Sequence, residues 1–409
     1  MKPAPRLGAI FLTVFVDLLG FGLVMPFLAK EAHDAFGVSE FVATLLGSVY
    51  SLMQFLFVPV WGRVSDSVGR RPVLLWSIAG TMVSMTALGA GLAWGGSVLL
   101  LFAARAFSGI ATANLGTASA YIADVTKPEE RAKGMGLIGL AFGLGFIIGP
   151  AVGGALAKIE IGARHGAVPC FLAASLSLVN LVWVTFGVPE SLRAEGRTVR
   201  PPRALWPLNL TATREACRLP GVALAMAINF LVVVSFTNLD QTFTFFCADL
   251  FRIDERGTGF VLAFIGIVAA AVQGGLVRPL SRRFDEATLI RGGALIQATA
   301  FAGLVGAGAI GSRAALYASG AWLALGNGLT QPAVPAYVSR RAPSDRQGGT
   351  LGTNQSFSSL GRTFGPALGG WLYASVGPRA PYAVACLGML LATALAAGLH
   401  RSGNKSGSR

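Results

Sequence analysis

Twelve stretches of about 20 mostly apolar residues follow one another along the chain. A helix of about 20 residues crosses the hydrocarbon core of a bilayer, and lipid-facing backbone has to satisfy its hydrogen bonds within the helix. The alternating pattern of membrane β-barrel strands is absent from these stretches. We therefore predict an all-α membrane protein with twelve transmembrane helices. Their ranges are 7–28, 42–62, 73–94, 98–121, 134–157, 167–188, 221–247, 257–279, 289–310, 314–338, 348–374 and 381–399.

The composition agrees with lipid as the main solvent of the chain. Of its 409 residues, 53% are apolar and 13% are charged, and the mean hydropathy is +0.62. Soluble domains average about 45–50% apolar and about 25% charged residues, so a soluble enzyme and a nucleic-acid-binding protein are excluded. The four cysteines are scattered and the three histidines lie outside the apolar stretches, which predicts neither disulfides nor a metal site. The ATP-binding pattern G-x-x-x-x-G-K-[ST] is also absent, and we expect no cofactor besides a coupling ion.

Lysine and arginine are distributed unevenly between the predicted loops. With a cytoplasmic N-terminus, the cytoplasmic segments hold 24 of the 33 basic residues, counting Arg278 and Arg291 at the cytoplasmic ends of their spans, and the opposite side holds 7; Arg105 and Arg362 lie well inside spans. Because basic residues accumulate in cytoplasmic loops, we predict that both termini are cytoplasmic in a plasma membrane, the inner membrane of a bacterium. This bias accounts for the net charge of +14 without nucleic acid. A basic lipid-binding patch within 193–218 is compatible with it.

The segment 189–220 divides the predicted spans into six and six. It is rich in proline and arginine and poor in apolar residues, so we interpret it as a cytoplasmic linker with at most one surface helix. The predicted halves are 1–188 and 221–409. The first span, 7–28, lacks a small-residue cleavage site and is too long for a signal-peptide core, so we interpret it as retained.

Spans 5 and 11 share a pattern of glycine and proline. Each of its positions in span 5 recurs in span 11 after 216 residues, and the same offset relates Ala120-Tyr121 to Ala336-Tyr337. Small residues let membrane helices pack closely, which is a sufficient local reason for the glycines. Their duplication predicts two halves related by an axis along the membrane normal, as in secondary transporters. The positions in span 5 are Gly136, Gly145, Gly149, Pro150, Gly153 and Gly154.

The connection between spans 2 and 3 reads G-R-V-S-D-S-V-G-R-R-P from Gly62 onwards. Gly62 permits close approach to a neighbouring helix, and Gly69 tolerates a positive φ in a tight turn. Asp66 can accept hydrogen bonds from a helix N-terminus or pair with Arg70. A loop of solvated charges is the alternative interpretation.

With these motifs the sequence resembles the major facilitator superfamily. The connection is similar to the family signature G-x-x-x-D-[RK]-x-G-R-[RK], which ends here at Arg71 and has Ser67 in place of a basic residue. Arg105 and Gly109 match the R-x-x-x-G element of span 4. The glycines of span 5 match the element G-x8-G-x3-G-P-x2-G-G, which is associated with antiporters.

The first span also resembles that of one branch of the family. Its sequence from Asp17 to Pro26, D-L-L-G-F-G-L-V-M-P, is similar to the first span of twelve-span drug:H⁺ antiporters, including tetracycline efflux proteins. Spans 3 and 9 carry no acid, unlike those of tetracycline–metal exchangers, which argues against a tetracycline–cation chelate as the physiological substrate.

The resemblance implies a fold of two pseudo-symmetric six-helix bundles and a cytoplasmic latch. In this latch Asp66 and Arg70 form a charge network with Asp124 at the cytoplasmic end of span 4, and Asp66 meets the N-terminus of span 11 near Gly352. The latch set implied by the family is Gly62, Asp66, Gly69, Arg70, Arg71 and Asp124.

Four ionisable residues lie well inside predicted spans, away from the span ends: Asp17, Arg105, Asp240 and Arg362. An Asp or Arg at the bilayer centre costs about 2.5–3.5 kcal/mol, so such side chains face the bundle interior or a cavity. Asp17, near the middle of span 1, is the predicted proton carrier and Arg105 its partner, because a low dielectric favours the neutral acid and a nearby guanidinium favours the carboxylate. A plain interhelical hydrogen bond is the alternative role for Asp17. Asp240 binds substrate or lies in water at the cavity mouth, and Arg362 pairs with an acid or attracts an anion.

Uncharged polar side chains complete the predicted substrate site. The pairs Tyr50/Gln54 and Asn327/Gln331 are four residues apart, so each pair shares one helix face. Hydrogen bonding between helices is the alternative role for each of these residues. The predicted set is Tyr50, Gln54, Asn114, Asn238, Asp240, Gln241, Asn327, Gln331, Gln355 and Arg362.

These observations and the resemblance lead us to expect a monomeric, proton-coupled secondary transporter with no enzymatic activity. It would export small lipophilic drugs or metabolites by antiport as two halves rock about a central site. The first alternative is a transporter of the same fold that moves an organic anion, lysolipid or sugar by symport or uniport. The second, a membrane enzyme or receptor, would need a catalytic constellation or a sizeable soluble domain, and the sequence has neither.

Overall fold

A computed structural model describes residues 7–112, 115–126, 131–161, 165–192, 210–343 and 347–404. These residues are helical almost throughout. The helices before residue 200 are α1 (Leu7–Phe36), α2 (Glu40–Val68), α3 (Arg70–Ala93), α4 (Val98–Ala111), α5 (Leu115–Val125), α6 (Arg131–Ala157) and α7 (Ala167–Gly187). The later ones are α8 (Leu210–Arg218), α9 (Val222–Phe251), α10 (Glu255–Ala271), α11 (Val277–Arg283), α12 (Glu286–Ile310), α13 (Arg313–Arg341), α14 (Gln347–Ser375) and α15 (Ala380–Asn404).

Among the described residues, nine helical stretches are long and apolar enough to cross a membrane. The prediction of an all-α membrane protein is confirmed. The remaining three predicted spans correspond to α6, α13 and α14. In α6 the apolar stretch Gly143–Ala157 is shorter than a membrane span. Helices α13 and α14 are continuous, but polar side chains such as Asn327 and Gln355 lower their hydropathy. The nine stretches are Ile10–Phe36, Glu40–Val68, Arg70–Ala93, Val98–Ile122, Ala167–Gly187, Val222–Phe251, Glu255–Arg283, Glu286–Ile310 and Ala380–Leu399.

Span 4 corresponds to α4 and α5, and residues 113–114 between them lie outside the described residues. Span 8 is not a single α-helix. In span 8 a π-helical turn, Val272–Leu276, joins α10 to α11. This turn contains Gly274 and Gly275, whose lack of a side chain makes the local departure from α-helical geometry easier.

Polar side chains and glycine define several helix ends. The Asp285 carboxylate accepts the N–H of Thr288 at 3.2 Å, and the Ser312 hydroxyl accepts that of Ala315 at 3.3 Å. Both acceptors satisfy backbone donors that a first helical turn leaves free. Between these helices Gly311 ends α12 with a φ of 66°, a left-handed conformation that glycine adopts without strain.

The contacts divide the described residues into two compact units. Unit 1 takes residues within 1–38, 49–207 and 255–263, and unit 2 takes the rest, so the first turns of α2 group with unit 2 and those of α10 with unit 1. In unit 1, α1 packs along α6 and α7, and α3 packs against α7 and α4. In unit 2, α9 packs against α14 and α15, and α12 packs against α13 and α15. The division into 1–188, a linker and 221–409 stays a prediction.

Large apolar side chains also lie on the outside of the helices. The exposed fractions are 86% for Phe186, 75% for Ile310 and 72% for Leu99. A soluble monomer rarely presents this much apolar surface. The exposed side chains therefore agree with helices whose outer faces contact lipid.

Candidate transport site

The glycines of α6 bring its backbone against α1 directly after Asp17. A Cβ atom added to Gly149 would lie 2.7 Å from the Cα atom of Gly22, and one added to Gly145 would lie 3.0 Å from the Cβ atom of Leu18. Glycine allows the two backbones to come this close. The packing of α6 therefore determines the position of the helix that carries the predicted proton acceptor.

The same contact recurs in unit 2 at the offset seen in the sequence. A Cβ atom added to Gly365 would lie 2.8 Å from the carbonyl oxygen of Val234 and 3.1 Å from the backbone nitrogen of Asn238. Adding 216 to Gly22, the contact of Gly149, gives Asn238. The duplicated glycine pattern is thus a duplicated contact between the first and fifth helices of each half.

A second face of α6 contacts the beginning of α10. A Cβ atom added to Gly154 would lie 2.5 Å from the carbonyl oxygen of Glu255, and one added to Gly259 would lie 2.5 Å from that of Pro150. Gly153 approaches the backbone of α1. Gly136 lies within α6.

Asp17 lies in the first half of α1 and is half-buried. Ten residues separate it from the start of the helix at Leu7, which corresponds to about 15 Å of a helix about 45 Å long. Its Oδ1 atom is fully buried within the protein. The carboxyl group is therefore held away from both ends of the helix and partly enclosed.

Arg105 is fully buried inside unit 1. Its Cζ atom lies 4.2 Å from the centroid of the Tyr50 ring, and Nη2 lies 2.8 Å from the sulfur of Met25. The first contact is a cation–π interaction, which gains strength when it is shielded from water. The Tyr50 hydroxyl accepts hydrogen bonds from Gln54 at 3.3 Å and Thr112 at 2.8 Å, so the ring has a defined orientation. The pairing of Arg105 with Asp17 stays a prediction.

The polar residues of α9 are mainly engaged with their neighbours. The Asn238 amide is 1% exposed and donates to the carbonyl oxygen of Pro381 at 2.9 Å. Gln241 is 3% exposed and donates to the half-buried carboxylate of Asp240 at 2.9 Å. Close approach of Gly47 also encloses Gln241. The bond to Pro381 favours a role for Asn238 in joining α9 to α15, and the contact with Gly47 places Gln241 between α9 and α2.

The other predicted substrate ligands differ in exposure. Asn327 is half-buried, whereas Gln331 and Gln355 are exposed. Arg362 is half-buried and donates to the Ser359 hydroxyl at 3.0 Å. Asn114 lies outside the described residues. For metals, the described residues contain no group of three or more His, Cys, Asp or Glu side chains arranged to hold an ion.

Sequence analysis missed a polar cluster in unit 2. The Asn229 amide donates to the side-chain oxygen of Asn354 at 3.0 Å and to the hydroxyl of Ser358 at 2.7 Å. These residues join α9 to α14. In the sequence, the only sign of this cluster is the amide of Asn229 in the apolar first half of α9. Its partners lie about 125 residues away along the chain.

The predicted latch residues of unit 1 lie together around one guanidinium group. Arg70 donates to Asp66 at 2.5 Å, to Ser65 at 2.6 Å and to Asp124 at 3.3 Å. Arg70 is 8% exposed, so these acceptors meet most of its hydrogen-bonding needs. Arg71 instead donates to the carbonyl oxygen of Thr185. The contact expected between Asp66 and the start of span 11 stays a prediction.

The connection between spans 2 and 3 is not a loop. Helix α2 continues to Val68, and Gly69 alone separates it from α3, with a φ of 114° as the sequence suggested. Polar residues interrupt the apolar run of span 2 without interrupting the helix. No described atom lies within 4 Å of the position of a Cβ atom on Gly62, so the close helix approach suggested for this glycine stays a prediction.

Glu190 is a further residue of this network that sequence analysis missed. Its carboxylate accepts the backbone N–H groups of Arg70 at 2.9 Å, Arg71 at 3.2 Å and Leu192 at 3.0 Å. It thus caps the N-terminus of α3, which is a role that the sequence suggests for Asp66. Its carboxylate also occupies the space that a Cβ atom on Gly69 would need. The first residues after span 6 are therefore packed on unit 1 and do not form part of a free tether.

Replacing Glu190 by alanine should lower the free energy of unfolding by about 1–2 kcal/mol, the usual cost of a lost helix cap. Three backbone donors lose their acceptor in this variant. Thermal and denaturant unfolding of the purified protein in detergent measures the change. Glu160→Ala is the matched control, because its side chain is 68% exposed. Equal stability of Glu190→Ala and the unmodified protein would contradict the capping role.

Comparison with known proteins agrees with this architecture. The family model described as Major Facilitator Superfamily matches residues 10–366 and again 312–407. The chain is 33% identical to "Tetracycline resistance protein, class C" of Escherichia coli over 92% of this chain and 91% of that protein. It is 30% identical to "Major facilitator superfamily domain-containing protein 10" of Bos taurus over 95% and 91% of the two chains.

A solved structure shows the same fold. The crystal structure of "the human organic anion transporter MFSD10 (TETRAN)" aligns with a TM-score of 0.71 and 25% identity, covering 97% of this chain and all of that one. Together with the family match over most of the chain, these similarities show that the chain belongs to the Major Facilitator Superfamily and is related to its tetracycline resistance proteins.

Proposed function

We propose that this transporter is a proton-coupled antiporter that exports small lipophilic compounds. The observation that carries the proposal is the carboxyl group of Asp17, partly enclosed and well away from both ends of the first membrane helix. Acids inside membrane spans are costly, and they commonly serve as proton or ion sites. The similarity to tetracycline resistance proteins supports export of a drug-like molecule.

Arg105 supplies the charge that changes the proton affinity of Asp17 in this mechanism. Tyr50 and Met25 hold its guanidinium group in a defined place. Nearness to the guanidinium favours the carboxylate form of Asp17, whereas an apolar surrounding favours the neutral acid. A movement that changes the distance between the Asp17 carboxyl group and this guanidinium group therefore binds or releases a proton. Inward proton flow supplies about 2.3 kcal/mol per 100 mV of membrane potential.

The substrate binds in competition with the proton during alternating access. Polar groups that are at least partly open, such as Gln54, Asn327, Gln331 and Arg362, are better suited to touch it than the enclosed amide of Asn238. Apolar and aromatic surface would provide most of the binding energy for a lipophilic guest.

The transporter functions as a monomer in the plasma membrane, with both termini in the cytoplasm. The 24-to-7 distribution of basic residues supports this orientation. In a bacterium this is the inner membrane, across which the proton gradient has the direction required for export.

Transport of an organic anion is the second candidate function. The human protein whose crystal structure matches this fold is named as an organic anion transporter. The intramembrane cations Arg105 and Arg362 are the groups that would attract an anion here.

A substrate panel with and without a proton uncoupler tests the proposed function. Cells that express the chain should accumulate lipophilic drugs several-fold less than cells with an empty vector, and the uncoupler should remove the difference. Organic anions are tested in parallel. Lower accumulation that persists with the uncoupler would contradict proton coupling, and an effect restricted to anions would favour the second candidate.

A further inference from the structure

Helix α1 carries a second acidic residue that is more buried than Asp17. Glu31, near the end of α1, is 6% exposed. Its side chain lines a small cavity that has room for about one water molecule. Leu28, Ala157, Gly166 and Cys170 also line this cavity. Within the described part of the chain, no hydrogen bond or salt bridge reaches the Glu31 carboxyl group. An ionised carboxyl group in such a place is unfavourable, so the neutral acid is favoured.

The position of the Glu31 side chain is defined by Gly166. This glycine precedes the first residue of α7 and has a φ of 81°. A Cβ atom on Gly166 would lie 2.7 Å from Cγ of Glu31 and 3.0 Å from Oε2. The glycine thus makes the space that the acid occupies, and the carboxyl group cannot be regarded as an exposed surface charge.

The charged groups near Glu31 pair with one another. From α1 itself, Lys30 binds Asp34 and approaches Glu255 of α10 to 3.6 Å. Lys158, which follows α6, lies 3.9 Å from Glu255. From α7 the facing titratable group is the thiol of Cys170. The two ammonium groups therefore have Asp34 and Glu255 as their salt-bridge partners.

The resulting charge balance leaves one proton to be accounted for. This cluster holds three carboxyl groups, of Glu31, Asp34 and Glu255, and the ammonium groups of Lys30 and Lys158. One bound proton makes it neutral. Because the charged form of the most buried group loses the most hydration, the proton belongs on Glu31.

Glu31 and Asp17 lie on nearly the same face of α1. They are 14 residues apart, which corresponds to about 21 Å along the helix and a rotation of about 40°. Val24 and Leu28 lie between them on that face, and neither side chain carries protons. Glu31 therefore exchanges its proton with its own end of the helix, which the charge distribution predicts to be the outer end.

We propose that Glu31 is a second proton-binding group of the first membrane helix, separate from Asp17. Proton binding by Glu31 follows from its burial, its cavity and the surrounding charges. Its use in coupling rests on the proposed function.

Infrared difference spectroscopy of the purified protein tests the proposal without any substrate. Exposed carboxyl groups titrate at about pH 4, so between about pH 6 and about pH 10 the carbonyl band of a carboxylic acid reports only buried groups. Glu31→Gln should lose one component of this band. Glu160→Gln, the same change at a 68% exposed site, should keep it. An unchanged band in Glu31→Gln would overturn the proposal.

Two further variants make the result unambiguous. Asp17→Asn should leave the Glu31 component in place, and its loss there would show that the component belongs to Asp17. Glu31→Asp keeps a carboxyl group, so the band should shift in frequency; if Glu31→Gln does not fold, an unshifted band in Glu31→Asp overturns the proposal. The uncoupler experiment on the unmodified transporter tests proton-driven export independently, so either idea can fail without the other.

Discussion

Replacing Asp17 by asparagine is expected to abolish substrate-driven proton release and to leave membrane insertion intact. Asparagine has the shape of the neutral acid and cannot exchange a proton. Removing an acid from the membrane interior also relieves a cost of about 2.5–3.5 kcal/mol, so the variant should insert at least as well as the unmodified chain. Everted vesicles measure the effect: a pH-sensitive dye records protons that leave the acidified lumen when substrate is added.

Glu160→Gln provides the matched control for this experiment. It also replaces a carboxyl group by an amide, but the Glu160 side chain is 68% exposed and lies outside the predicted proton site. Its vesicles should release protons like those of the unmodified transporter. Asp17→Glu should retain part of the signal, because it keeps a carboxyl group at the same position of α1. Undiminished proton release from Asp17→Asn vesicles would show that another group carries the proton.

The spans were predictable because their cause is local. A membrane helix needs a continuous apolar run of fixed length, and this requirement appears directly in the residue order. The contacts of Gly149 and Gly365 were also accessible, since a repeated pattern with one offset implies a repeated contact. For the spans the information lies within one stretch of about 20 residues, and for the glycine contacts it lies in the constant offset between two such stretches.

The network around Arg70 contains one contact that the sequence predicts and one that it does not. Its contact with Asp66, four residues away, follows from helical spacing. The cap on α3 joins Glu190 to Arg70, which are 120 positions apart, and no local sequence pattern predicts this contact. Before the fold is known, a carboxylate in a proline- and arginine-rich segment has the appearance of a solvated charge.

Hydropathy also does not predict which polar side chains are buried. Glu31 lies beside Lys30 at the polar end of a span, where a charge normally reaches water. It is enclosed by the packing of Gly166 and the first turn of α7, together with Ala157 at the end of α6. Conversely, Asn238 had the appearance of a substrate ligand, and its amide bonds to the backbone of α15. Which polar groups face a cavity depends on helix rotation, and composition contains little information about it.

Replacing Arg105 by methionine should remove transport while maintaining or raising stability. The guanidinium group is fully buried, so the variant no longer bears the cost of dehydrating a charge. Exchanging buried charges for apolar side chains of similar volume is often neutral or stabilising by about 1–4 kcal/mol. Without the positive charge, however, Asp17 loses the group that favours its carboxylate form, and coupled transport should fall at least about 100-fold, a change of about 2.7 kcal/mol. Unfolding in detergent and drug efflux from cells measure the two effects.

Lysine at position 105 separates charge from geometry. An ammonium group is more strongly hydrated than a guanidinium group and is not planar, so it cannot reproduce the stacking on the Tyr50 ring. We therefore expect Arg105→Lys to be less stable than Arg105→Met and to restore only a small part of the transport. Tyr50→Phe is the matched control: it keeps the ring at the guanidinium and removes only the hydroxyl that accepts from Gln54 and Thr112. It should transport substantially better than either Arg105 variant, and unimpaired transport by Arg105→Met would disprove the coupling role of this charge.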